Sequence, residues 1–163
     1  MDLTHIQPII TTLAEKKLIG KQVIMSLAEN NTPALWRSFL PSRKEIKNTI
    51  SNEMISMSVY SEPLRPGDFH QKFSKWAAVE VSNFDNVPDE METFVLKSGL
   101  YAVFHYQGLS TDSSIFVYIL GTWLPNSIYD LDTRPHFEVL GEKYKNGDPN
   151  SEEDIWIPIK PKA

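Results

Sequence analysis

A carboxylate and an imidazole lie two residues apart in the segment TRPHFEVLGEKY, near the end of the chain. Side chains alternate between the two faces of a strand, so His136 and Glu138 would share one face and Phe137 the other. The simplest interpretation is a solvated face, because glutamate is rarely buried without a partner. In an apolar cleft the same carboxylate would attract a cationic ligand or act as a general base.

Other combinations of reactive side chains carry less weight. Glu80 in WAAVEV is a weaker acidic candidate, and His136, Glu138 and His105 form a conceivable set of metal ligands. The four histidines show neither an HxH nor an HExxH spacing, so we predict no metal. No Gly-rich phosphate loop or nucleophile elbow is present, and we expect no cofactor. Any chemistry would be limited to a carboxylate that activates water or polarises a reactive ligand.

The four tryptophans divide into two groups. Trp36 and Trp123 fall on apolar helical stripes, which is typical of core residues. Trp76 and Trp156 instead point away from the aliphatic side of their strands. They suggest a second surface lined by aromatic rings, with Tyr60 as a third wall.

Length and composition set the broad class. A chain of 163 residues with 41% hydrophobic content suits one domain, and we take 1–163 as that domain. The net charge of −5 argues against direct nucleic-acid binding. Because cysteine is absent, disulfides and thiolate chemistry are excluded. The first twenty residues lack a signal-peptide core and no long apolar run follows, so we expect a cytoplasmic protein without membrane contact.

The elements that must position these residues repeat in order. Residues 6–27 predict a strand pair, NTPALWRSFLP a helix capped by Thr32, and ISMSVY and FSKWAAVEV two strands. METFVLKSGLYAVFHYQG then predicts a hairpin, STDSSIFVYILGTWLP a helix, and HFEVLGEKY and DIWIPIK two strands. The two helices end in FLP and WLP.

This repetition predicts an α+β fold of tandem strand-helix-strand-strand modules, with halves at about 1–84 and 85–163. Each half buries one face, so the halves should pack around a pseudo-twofold axis with a central ligand cleft. Coincidence is the alternative, since short triplets recur easily.

The sequence also resembles the GyrI-like (gyrase-inhibitor-like) family, the effector-binding domain of AraC-type and MerR-type multidrug regulators. The resemblance runs from about Leu18 to Lys160 through WAAVEV, GLYAVFHYQG and GTWLPNSIYDLDTRPHFEVLGEKY. Its most specific part runs from WLP to FE and is followed by an IPI strand. Ile128 and Leu140 depart from the family pattern, which affects the shape of the cleft.

The resemblance implies that Glu138 is buried and faces the cleft. It implies a small hydrophobic or cationic ligand, flat and lipophilic, held by aromatic side chains whose matching candidates are Trp36, Phe39, Tyr60, Trp76, Tyr118 and Trp156. Some family members hydrolyse strained cyclopropane-containing compounds, which would make Glu138 and Tyr118 catalytic.

Three hypotheses follow from these observations. The first is a freestanding small-molecule-binding protein, and the second is a hydrolase of cyclopropanoid-type toxins that uses the same glutamate. The third is a protein-interaction module whose partner is gyrase, as in one branch of the family.

Overall fold

The computed structural model describes Leu3 and residues 6–163. The first half contains strands β1 (Ile9–Leu13) and β2 (Lys16–Met25), helix α1 (Thr32–Phe39), a 3-10 turn (Leu40–Glu45), and strands β3 (Met54–Val59) and β4 (Phe73–Val81). The second half contains β5 (Glu92–Leu96), β6 (Gly99–Gln107), α2 (Ser114–Tyr118), a π-helical turn (Ile119–Trp123), α3 (Leu124–Asn126), β7 (Tyr129–Leu131), β8 (His136–Leu140) and β9 (Glu152–Pro161). We call residues 114–126 the second helical segment.

The predicted α+β class and the repeated order of elements are confirmed, and the short strand β7 was not predicted. The N-cap of α1 lies one residue before the predicted position. Asn31 is the N-cap of α1, whereas Thr32 is its first helical residue and its hydroxyl donates to Met25 Sδ at 3.5 Å. No helix of the described residues is long and apolar enough to cross a membrane.

All strand pairings are antiparallel, and the sheet runs β1-β6-β9-β8-β3-β4-β2-β5, with β7 beside β9. The predicted strand pair β1–β2 and hairpin β5–β6 are therefore wrong. β1 pairs with β6, and β5 pairs with β2, so each half donates an edge strand to the other. The connections Ala14-Glu15 and Lys97-Ser98 lack the Asn-Gly or Asp-Gly pair that favours a tight hairpin turn.

These short connections force the sheet to curl. β1 and β2 lie near opposite ends of the strand order, yet only Ala14 and Glu15 separate them. Three residue steps span about 11 Å at most, so the two ends of the sheet must approach one another. The enclosed inner face buries Leu13 and Leu96 in one cluster with Trp76, Tyr101 and Phe137.

The outer face carries two separate helical cores. α1 covers β2 and β4, where Leu35 and Phe39 pack against Ile19, Ala77 and Val79. The second helical segment covers β6 and β9, and its core contains Ile115, Ile119, Leu124, Phe104, Ile155 and Ile157. The middle strands β3 and β8 lie between these two cores. This arrangement agrees with the predicted pseudo-twofold symmetry, while its origin by duplication remains a proposal.

Gly20 is required by the close approach of β2 and β4. An added Cβ would contact the Ala77 carbonyl oxygen and lie 2.7 Å from Ala78 Cβ, where only backbone movement could relieve the overlap. We expect Gly20→Ala to lower the free energy of unfolding by about 1–3 kcal/mol, measured by urea denaturation. Gly121→Ala is the control, because nothing lies within 4 Å of its added Cβ. Equal denaturation midpoints for the two variants would contradict the expectation.

Candidate functional site

A row of polar side chains lies between the two helical cores. The strand register sets Ser56 opposite Glu138, and Ser58 opposite His136, on the outer face of β3 and β8. We call these four residues the central strip. On its far side Glu138 lies opposite Ile155, which belongs to the core of the second helical segment. Glu138 therefore occupies the outer face near the middle of the sheet, with apolar packing on both flanks.

Glu138 has an acidic neighbour that sequence reasoning missed. Glu153 precedes Ile155 by two residues on β9, which makes it the diagonal neighbour of Glu138 on the same face. The two carboxyl groups are hydrogen-bonded to one another. Glu153 is only 5% exposed, and its Oε2 atom is buried without a hydrogen-bond donor among the described residues. We call Glu138 and Glu153 the acid pair.

The electrostatics of the acid pair follow from its burial. Desolvation and the neighbouring charge of Glu138 together raise the pKa of Glu153 to about 8, against the opposing charge of Lys75. Desolvation also raises the pKa of Glu138, while Lys75 and the hydrogen bond from Glu153 oppose that shift. Two adjacent buried carboxylates cannot both be ionised cheaply. The acid pair therefore retains at least one proton at neutral pH, and Glu153 donates it to Glu138.

The charged and aromatic groups beside Glu138 come from three strands. Lys75 lies opposite Ser58 on β4, and no ion pair within 4 Å holds it in the described part of the chain. Burial, assisted by Lys75, lowers the pKa of His136 to about 4, so this imidazole is neutral at pH 7. The Tyr60 ring lies 5.5 Å from the ring of His136 and 4.8 Å from that of Phe73. One end of the central strip is thus aromatic.

The predicted site residues occupy three places. The Tyr60 ring lies beside His136, and His136 shares the outer face of β8 with Glu138. Trp36 and Phe39 belong to the α1 core, where their ring centroids lie 5.7 Å apart, and Phe39 is fully buried. Tyr118 packs against the core of the second helical segment.

Trp76 and Trp156 lie on the inner face, opposite to Glu138. Register pairs Trp76 with Met57, Met57 with Phe137, and Phe137 with Trp156, in one row across four strands. Trp156 stacks on Phe137 at 5.2 Å. The structure therefore does not bring these two tryptophans and Glu138 onto one surface.

The weaker candidates from the sequence are engaged elsewhere. Glu80 forms an ion pair with Lys16 at 3.0 Å. His105 lies opposite Asp154 on β9 and contacts both Asp154 and Glu152 at 2.8 Å. It does not join His136 and Glu138, and the described residues contain no group of three or more His, Asp or Glu side chains with an arrangement that could hold a metal ion.

An open groove of about 540 Å³ lies where β8 ends and β9 begins. Its lining residues are mostly of polar types and include Glu53, His105, Glu142, Lys143, Glu152 and Glu153. Glu153 is the one member of the acid pair that reaches it, whereas Glu138 does not line it. We assign the candidate site to the central strip, because the desolvated acids and the ring cluster meet there.

The family model described as Integron-associated effector binding protein (Cass2) matches residues 9–159. The chain belongs to this family. The match spans both halves and the whole sheet apart from the last two residues of β9, and it includes the acid pair and the central strip. It bears out the resemblance seen in the sequence. No curated protein sequence matches the chain significantly.

Three solved structures share the family's fold. SAV2435 bound to tetraphenylphosphonium is 19% identical, with a TM-score of 0.66, and the match covers 94% of each chain. The C-terminal domain of EcmrR is 12% identical, with a TM-score of 0.72 over 96% of this chain and 99% of that one. The integron cassette protein VCH_CASS2 from the mobile metagenome of Vibrio cholerae is 15% identical, with a TM-score of 0.64 over 94% and 96%.

The acid pair should make stability depend on pH. A carboxyl whose pKa is raised on folding binds its proton more tightly in the native state, so stability falls as pH rises from about 4.5 to about 8. We expect the free energy of unfolding to fall by up to about 1.4 kcal/mol per pH unit between pH 6.5 and 8. Glu153→Gln should remove this slope. Urea denaturation at several pH values measures it.

The chosen range separates the acid pair from the histidines. His136, whose pKa burial lowers to about 4, is neutral in the folded protein above pH 6.5, and its titration in the unfolded state contributes equally to wild type and variant. His105, whose pKa is raised by Asp154 and Glu152, contributes equally to wild type and variant. Glu142→Gln, at an exposed position, is the matched control and should keep the wild-type slope. Parallel curves for wild type and Glu153→Gln would refute the shared proton.

Proposed function

We propose that this protein binds small lipophilic cations at the central strip, with Glu138 as the anionic anchor. The observation that carries the proposal is the acid pair, which sits between two apolar cores and beside a cluster of aromatic rings. Membership of an effector-binding family supports a small-molecule ligand. The tetraphenylphosphonium bound to SAV2435 supports a lipophilic cation as the chemical class.

Because it is partly buried, Glu138 would bind a cation more strongly than a carboxylate on the surface would. A charge pair gains more energy where water is displaced, because the effective dielectric constant is lower. A delocalised organic cation loses little hydration on entering such a place, whereas a small metal ion would lose a great deal. The apolar flanks then add hydrophobic contact, at roughly 25 cal/mol per Å² of buried surface.

Aromatic side chains around the strip supply the second part of the affinity. Tyr60 stands at one end beside His136, and burial raises its pKa to about 12, so its ring remains a neutral phenol. Trp36 is partly exposed and comes from the α1 core on one side, whereas the Tyr118 hydroxyl donates to the Ile6 carbonyl oxygen at 3.4 Å, on the β1 side of the sheet. Each ring that faces a bound cation would contribute about 0.5–2 kcal/mol.

The remaining predicted aromatics take a different role in this proposal. Phe39 supports the α1 core, and Trp76 and Trp156 fill the inner face beneath the strip. A ligand on the outer face would not touch them. We propose that they stabilise the strands beneath the site.

Removal of the negative charge of Glu138 tests whether this residue holds the cation. Glu138→Gln should weaken binding of tetraphenylphosphonium by about 30-fold, roughly 2 kcal/mol, because a buried counter-charge is lost. Binding of neutral triphenylphosphine oxide, which keeps a similar shape, should change less than about twofold. Isothermal titration calorimetry measures both ligands. Glu142→Gln is the matched control on the exposed surface, and equal losses for the cation and the neutral compound would remove the electrostatic role of Glu138.

A second candidate function is favoured by the acid pair itself. A protonated carboxyl beside an ionised one is an arrangement suited to general acid–base catalysis. The hydrolase hypothesis assigns this chemistry to Glu138, with Tyr118 as a helper. Incubation with a cyclopropane-containing alkylating compound should then yield a ring-opened product that gains one water, with multiple turnovers seen by mass spectrometry. Recovery of unchanged compound would eliminate the hydrolase and leave the binding protein.

A further inference from the structure

The two members of the acid pair differ in their access to solvent. Glu138 keeps part of its surface open on the outer face, whereas Glu153 is 5% exposed and its Oε2 atom is fully buried. A ligand on the central strip can therefore reach Glu138 but not the lone oxygen of Glu153. That oxygen accepts no hydrogen bond from the described residues.

Removal of the shared proton without a replacement charge would be costly. Both carboxylates would then be ionised side by side, with Glu153 buried away from water. A cation against Glu138 supplies the replacement positive charge and lowers the cost of ionising the pair. Cation and proton thus compete for the same two carboxyl groups.

Among the other charged groups around the pair, Lys75 lowers the pKa of both acids, yet the pKa of Glu153 is still about 8. Lys75 on β4 and His136 on β8 lie on the same face, and His136 is already neutral at pH 7 because its pKa is about 4. Asp154 on β9 points to the inner face, where His105 partners it. Tyr106, opposite Glu153 on β6, has a pKa that burial raises above its usual value, so it stays neutral. The helical segments contribute none of the charges that shift the two acids.

We propose that a cation binds to the central strip in exchange for the proton shared by Glu138 and Glu153, so that its affinity rises with pH. The inference rests on the proposed function and deepens it, because it assigns a role to a residue that the ligand does not touch. The balance is simple. One organic cation enters, one proton leaves to the buffer, and the net charge of the site is unchanged. Glu153 is a positioning residue that acts through Glu138.

Calorimetry in buffers of different ionisation enthalpy measures the exchange directly. Tetraphenylphosphonium would be titrated into the wild-type protein at pH 7.2, in phosphate and in Tris. We expect the observed enthalpies to differ in proportion to the release of between half a proton and one proton per cation bound. The dissociation constant should fall by up to about tenfold per pH unit between pH 6.5 and 8.

Two comparisons locate the source of the proton. Glu153→Gln should still bind tetraphenylphosphonium, but without proton release and with an affinity that does not depend on pH. Neutral triphenylphosphine oxide should release no proton from the wild-type protein. Proton release that persists in Glu153→Gln would assign the proton to Lys75 and overturn the role of Glu153.

The outcomes separate this inference from the proposed function. Cation binding with no proton release and a flat pH profile would overturn the exchange and leave the binding function standing. Absence of cation binding at every pH would overturn the function, and the exchange with it. The wild-type measurement needs no variant, so poor folding of Glu153→Gln would not prevent the test.

Discussion

Two connections of two residues each determine the shape of this molecule. They join strands that stand near opposite ends of the sheet, so the sheet must curl until those ends come close to one another. Curling closes the inner face around a single aromatic core. It also makes the outer face convex, and the helical segments lie over β2 and β4 and over β6 and β9, so its middle stays uncovered. The uncovered central strands are where the polar side chains lie.

The acid pair is a consequence of register more than of composition. Glu138 and Glu153 are fifteen positions apart in the sequence, and a shift of one residue between β8 and β9 would send one of them to the inner face. The stacked rings of Phe137 and Trp156 fix that register from below. Packing on one face of the sheet thereby holds the electrostatic arrangement on the other.

Much of the fold could be predicted from periodicity and turn residues. The alternation in HFEVL and the apolar stripe in PALWRSF identified a strand and a helix correctly. Strand partners could not be predicted, because adjacency in the sequence favours a hairpin and only three-dimensional closure reveals the exchange of β1 and β5. Thr32 was misassigned as a cap because Asn30 accepts the hydrogen bond from its backbone N–H at 3.0 Å.

The candidate site was predictable in part. Glu138 stood out through the resemblance to a known family, and alternation correctly separated Trp156 from its isoleucine neighbours. Alternation alone does not tell which face carries a ligand, so tryptophans and glutamate were grouped together although they lie on opposite faces. Glu153 was missed, although it lies in phase with Ile155 and Ile157. An acid on an aliphatic stripe was the available signal.

The exchanged edge strands also matter while the chain is being synthesised. β1 pairs with β6, and the free edge of β2 pairs with β5, so β1 has no partner and β2 has only β4 until residues 92–107 have left the ribosome. Pairings between such distant residues form slowly, and unpaired strand edges invite association with other chains. Until then the first half of the chain is an incomplete sheet with unpaired strand edges. Those edges, rather than the surface of the folded protein, are the part of this protein most prone to aggregation.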